Sequence, residues 1–105
     1  MAKPKFTLIP SPTFKALVPV PVPGGKSVEI EFTFKHRPRE DFKAFMENME
    51  SRDDVELLMD VVSGWDLDDA FDAENLGKLV ENYLGSGHAI VEKYINEMTR
   101  VRAKN

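Results

Sequence analysis

The sequence predicts an α+β fold: an N-terminal antiparallel β-hairpin, of two strands or three, followed by about four α-helices packed as a small bundle. Three observations carry this. Val28 to Lys35 alternates apolar and polar residues without a break, the signature of a half-buried strand. The stretch before it alternates valine with proline, and two glycines separate the halves. Beyond Pro38 the apolar residues recur at helical spacing to the end of the chain.

The first strand is expected from Phe14 to Val22, with Phe14, Ala16, Val18, Val20 and Val22 on one face. Pro19, Pro21 and Pro23 fall at alternate positions. Successive N–H groups of a strand point to opposite sides, so prolines spaced by two remove donors from one side only. Such a strand pairs once and refuses a second neighbour, as an edge strand should. Its partner runs from Ser27 to Lys35, with Val28, Ile30, Phe32 and Phe34 on one face and Glu29, Glu31, Thr33 and Lys35 on the other. Pro23-Gly24-Gly25-Lys26 supplies the turn. Phe6 to Ile9 is read as a short additional strand closed by Ile9-Pro10-Ser11-Pro12.

GGKS, at Gly24 to Ser27, invites comparison with a phosphate-binding loop. That motif needs a glycine where Val20 stands, and a helix after it. Here a strand follows, so the nucleotide reading is rejected.

Everything after Pro38 reads as helix. Phe42, Phe45, Met46 and Met49 form the first stripe, with Pro38 at or just before the first turn. The second helix opens on Asp53-x-x-Glu56, carries Val55, Leu58, Met59 and Val62, and stops at Gly64. An irregular link, WDLDDAFDAEN, leads to a third helix with Leu76, Leu79, Val80, Tyr83 and Leu84, ended by Gly85-Ser86-Gly87. A fourth spans about Ala89 to Arg102, with Arg100, Arg102 and Lys104 suited to its negative end. The 105 residues are expected to form one domain, a hairpin part over 1–36 and a helical part over 38–104.

Composition narrows the chemistry. There is no cysteine, which excludes disulfides, thiolate metal sites and a cysteine nucleophile, and fits a reducing cytoplasm. The start, MAKPKF, has no apolar signal region, and no apolar run reaches the roughly 20 residues that span a bilayer. The net charge of −4 conceals an uneven distribution. Asp53 to Glu74 holds nine acids and no Lys or Arg. The other nine of the 18 acids face all 14 basic residues, a balance of +5. A bipolar molecule of this kind favours a basic partner or weak head-to-tail association with itself, and disfavours nucleic acid at the acidic band.

No catalytic constellation stands out, and the chain is read as a non-enzyme without cofactor or metal. A calcium loop begun at Asp66 would need an oxygen ligand and a glycine where Ala70 and Phe71 stand. Asp72 instead serves as a helix cap. His36 and His88 have no thiolate to complete a zinc site with and are read as surface or junction residues. Lys35-His36-Arg37-Pro38-Arg39 makes a weak phosphate footprint, since Glu40 and Asp41 follow at once. It reads better as a junction displaying solvated charges. Gly77, inside a helix, marks the close approach of another element.

One stretch points to protein binding. Trp65, Leu67 and Phe71 are threaded through Asp66, Asp68, Asp69 and Asp72, aromatic and aliphatic anchors within a charged rim. The three apolar residues would serve equally well as plugs of the core beneath the link, and both readings stand on sequence alone.

Several segments also resemble a known family. They are FTFKHRPR at Phe32 to Arg39, GWDLDDAF at Gly64 to Phe71 and LVENYLGSGHAI at Leu79 to Ile90, within a likeness that spans nearly the whole chain. The chain resembles the small tail assembly chaperones of long-tailed, siphovirus-type bacteriophages. That family often has proline after the NY pair; Leu84 stands here and is expected to carry the third helix slightly further. The resemblance implies a chaperone that binds the tape-measure protein in the bacterial host cytoplasm, keeps it soluble and helps recruit tail-tube subunits. It implies absence from the mature virion, and a longer product made by ribosomal frameshifting through which the tail-tube protein is met. On this view Trp65, Leu67 and Phe71 anchor the client while Asp66, Asp68, Asp69 and Asp72 select its basic segments, roles inferred from charge and aromatic placement. The alternative is a small acidic phage regulator or inhibitor that binds one folded host protein by imitating nucleic acid.

Overall fold

The computed structural model describes residues 5–100. Strand β1, Thr13–Val20, pairs antiparallel with β2, Val28–Lys35, in the register that sets Phe14 opposite Phe34, Ala16 opposite Phe32 and Val18 opposite Ile30. Residues paired across a sheet share a face, so both apolar stripes point the same way. At the tip Gly25 N–H donates to the Val22 carbonyl at 3.0 Å, with Pro23 and Gly24 between them. Gly24 has φ +76°, which closes a type II arrangement that a side chain would strain.

β1 ends at Val20, short of the expected Val22, so of the three prolines only Pro19 lies within the strand. His36 N–H donates to Pro12 C=O, while Glu31 C=O is taken from the opposite side of β2 by Asp66 N–H. Even-numbered residues of β1 therefore turn their backbone groups toward β2, and Pro19 turns its missing donor outward. The sheet order is β1-β2-β3, leaving β1 at an edge.

The third strand is not the one expected. Phe6 to Ile9 forms no strand; Phe6, Leu8 and Ile9 are 77%, 91% and 86% exposed. The strand is β3, Val62–Trp65, within the part of the chain read as wholly helical. It follows α2, Asp54–Val61, directly, so that helix ends before Val62 rather than at Gly64, and it buries Leu57, Leu58 and Val61. Thr33 lies opposite Gly64 but Phe34 opposite Val62, an irregularity that leaves Ser63 as an extra residue. The bulge explains how Val62 and Trp65, three apart, both reach the inner face. Regular alternation would put them on opposite faces.

The remaining helices are α1, Arg39–Asn48, continued by a short 3₁₀ turn at Met49–Ser51, then α3, Ala73–Asn82, and α4, Ser86–Thr99. Two predicted caps are present. Asp53 accepts from Glu56 N–H at 2.9 Å, and Asp72 from Asn75 N–H at 2.8 Å. The turn between α3 and α4 differs from expectation. Leu84 does not extend α3 but stands 85% exposed in the turn, and α4 starts at Ser86 rather than Ala89. Ser86 is fully buried, its N–H donating to Tyr83 C=O, which lets α4 begin early. At the far end Arg100 adopts the left-handed conformation (φ 53°) and pairs with Glu97 at 2.9 Å. Arg102 and Lys104 lie outside the described residues.

The core forms where the helices cover the inner face of the sheet, with Tyr94 at its centre. Its ring meets Phe34 and Phe45 at centroid distances of 5.6 and 5.5 Å, and Phe14 and Phe42 at 6.2 Å. Its hydroxyl donates to Lys35 C=O at 2.8 Å and accepts from Arg37 at 3.0 Å, so a buried polar atom keeps both partners. Gly77 needs no close approach: a Cβ there would meet only Val55 Cγ2, at 4.0 Å.

Candidate functional site

The link after β3 is held at several points. Asp66 N–H extends the ladder to Glu31, and the Trp65 indole N–H donates to Asp69 C=O at 2.8 Å. The Asn75 side chain donates to Ala70 C=O at 2.7 Å, beside the Asp72 cap. Trp65 lies edge-on to Phe71 at 5.2 Å and to Phe32 at 6.2 Å. Trp65 and Phe71 are thus half-buried against the core, while Leu67, 37% exposed, turns to solvent.

Above this link the helices leave part of the sheet uncovered. An open groove of about 360 Å³ separates the hairpin tip from α3. The sheet side is formed by Val20, Val22, Val28 and Ile30, and the helix side by Leu79 and Tyr83 with Asn75, Lys78 and Asn82. Trp65, Leu67 and Asp69 of the link complete it. Val28 is 52% and Tyr83 37% exposed, large for apolar residues lying on the same stripes as the core.

Of the sequence-predicted residues, the groove gathers Trp65, Leu67 and Asp69. Phe71 faces Trp65 instead, Asp72 is occupied as a cap, and Asp66 and Asp68 are exposed in the link beside Leu67. Sequence reasoning missed Val28, Leu79 and Tyr83 as parts of this surface. Each lies on an inward stripe, and a stripe does not reveal where the opposing layer stops.

The charged junction also differs from expectation. Arg37 is not solvated: its side chain is 14% exposed. The guanidinium donates to Asp60 Oδ1 at 2.7 Å, to Asp60 C=O at 3.0 Å and to Tyr94, and lies 4.8 Å from the Phe45 ring centroid. Arg52 meets the other Asp60 oxygen at 2.8 Å. Burial works to raise the Asp60 carboxyl, yet its hydrogen bond to Arg52 and the charge of Arg37 prevail and hold it below its usual 3.8. Burial pushes the Tyr94 hydroxyl above 10.0, with Arg37 opposing. Lys35 donates to Met59 C=O at 3.1 Å. One member of the acidic band is therefore neutralised by two arginines from outside it, while Asp66, Asp68 and Asp69 stand exposed in the link. His88 is an exposed neighbour of Glu92 on α4, at 3.8 Å. Among the described residues no group of three or more His, Asp or Glu is arranged to hold a metal ion, and no helix is long and apolar enough to cross a membrane.

The whole chain, residues 1–105, matches the family model described as phage tail assembly chaperone. No curated protein and no solved structure matches it.

Proposed function

The chain belongs to the phage tail assembly chaperone family, and from that premise we propose that its client is the tape-measure protein. The chaperone holds that long chain in soluble form during tail morphogenesis and helps bring tail-tube subunits to it, the latter through a longer frameshift product. It works in the host cytoplasm as a non-enzymatic binding protein, associates weakly with itself, and is not retained in the virion. The whole-chain family match carries this reading. The groove with its acidic border supports it, because a concave apolar surface with a few polar groups suits transient holding of apolar side chains. Each aliphatic side chain covered contributes about 1.5–3 kcal/mol, and many weak copies along one client add by avidity.

The test is to express the tape-measure protein of the same phage alone, with this chain, and with the longer product. The reading expects an insoluble client alone and a soluble one bearing many copies with the chaperone, counted by light scattering. A client that stays insoluble with both forms overturns it. One-to-one binding of a folded host protein would instead favour the acidic regulator.

A further inference from the structure

We propose that the groove between the hairpin tip and α3 seats a helical segment of the client, apolar on the inserted face and carrying Lys or Arg beside it. The inference rests on the tape-measure reading above and adds the place and the chemistry of recognition.

The first support is the grouping of exposed apolar residues. Val28, Leu67 and Tyr83 come from a strand, a link and a helix end, yet three of the nine large exposed apolar side chains among the described residues share this one concavity. Exposed apolar residues scattered singly are ordinary, whereas several lining one hollow mark an interaction surface. The hollow, about 360 Å³, lies within the range of roughly 300–1,000 Å³ of ligand-holding pockets.

Charge selects the occupant. Where Leu67 enters the groove it is flanked by Asp66, Asp68 and Asp69, all exposed, and Lys78 is the one cation among the lining residues. An apolar segment flanked by bases gains from that border, and an acidic one is repelled. The backbone selects conformation. Strand addition needs an open edge, but β3 has four residues and a bulge, and the outward positions of β1 include Pro19. A helix needs no edge; it inserts side chains at i, i+3 and i+4.

Trp65, the single tryptophan, lies in the wall and reports occupancy. Overlapping peptides of about 20 residues, each long enough for several helical turns, are drawn from the tape-measure protein and titrated against the intact chain while its fluorescence is followed. A subset with apolar residues at helical spacing and neighbouring Lys or Arg should shift the signal saturably, less so as salt is raised. Val28→Asp, Tyr83→Ser and Leu67→Lys should each weaken binding about tenfold or more, as loss of a central anchor does. These three come from different elements, so one misfolded variant does not decide the matter. Leu84→Ser, more exposed but outside the groove, should bind as the unaltered chain does. If the full-length client co-purifies but no peptide shifts Trp65, or the groove variants bind normally, the groove assignment falls while the chaperone reading stands. An equal response to polylysine would also overturn it, by removing the apolar requirement. Failure of the unaltered chain to retain the full-length client would remove the underlying reading itself.

Discussion

Arg37 and Asp60 meet at 2.7 Å between the strand-to-helix junction and the end of α2, with the guanidinium against Phe45 and hydrogen-bonded to Tyr94. This pair ties β2, α1, α2 and α4 together around one largely buried charge. Removing Arg37 leaves Asp60 with Arg52 alone and takes a donor from the Tyr94 hydroxyl and the Asp60 carbonyl. Arg37→Ala should therefore cost about 2–3 kcal/mol in urea unfolding. Arg37→Lys should recover little of this, because an ammonium cannot reproduce the fork or the ring contact.

The same contact predicts a pH dependence. Asp60 titrates lower in the folded chain than in the unfolded one, so its contribution is fully present above about 3.8 and is lost as pH falls through the depressed folded value. Unfolding free energy should decline below pH 4. Asp60→Asn should be less stable at neutral pH and should lose part of that acid-side slope. Parallel slopes in the two proteins would contradict the assignment.

Two glycines should respond in opposite directions. A methyl at Gly77 meets nothing nearer than 4.0 Å inside α3, so Gly77→Ala should stabilise by up to about 1 kcal/mol. At Gly85 the same methyl would lie 3.1 Å from Pro21 Cγ, and Gly85→Ala should lower the melting temperature by pressing α4 away from the hairpin.

Asp72 separates stability from recognition. Asp72→Ala removes the α3 cap and should cost about 1 kcal/mol. Asp72→Asn keeps the cap while losing the charge, so thermal melting should hardly change. If the charge also selects basic client segments, the asparagine variant will retain less client, measured by co-purification at low salt. Equal retention would leave Asp72 with its cap alone.

Trp65 and Phe71 are poor probes of binding by truncation. Both are half-buried against the core, so cutting either to alanine should cost part of the roughly 3–5 kcal/mol lost at a fully buried aromatic. Chemical denaturation of Trp65→Ala should show this loss without any client present, whereas Leu67→Ala should unfold nearly as the unaltered chain does.

Local pattern made much of this legible. Alternation fixed the hairpin faces, prolines named the edge, and Asp53 and Asp72 announced their helices. β3 was hidden because Val62 also fits the helical stripe of α2, and only pairing with Phe34 across a bulge distinguishes the two. Arg37 looked like a surface charge because its partners lie 23 and 57 residues away in sequence. The groove was hidden for a related reason. Val28 and Tyr83 continue stripes that are buried elsewhere, and they stay open because the groove separates the hairpin tip from α3. The apolar run Phe6 to Ile9 resembles a strand, yet it pairs with none and its large side chains stand exposed.

Hydrogen exchange on the co-purified complex with the tape-measure protein addresses the central claim most directly. A client seated in the groove should slow exchange at the hairpin tip around Val20 to Ile30, in the link from Trp65 to Asp69 and at the end of α3 around Tyr83. α1 should remain unchanged. Protection confined to α1 or the outer face of α4, with the groove segments exchanging as in the free chain, would contradict it.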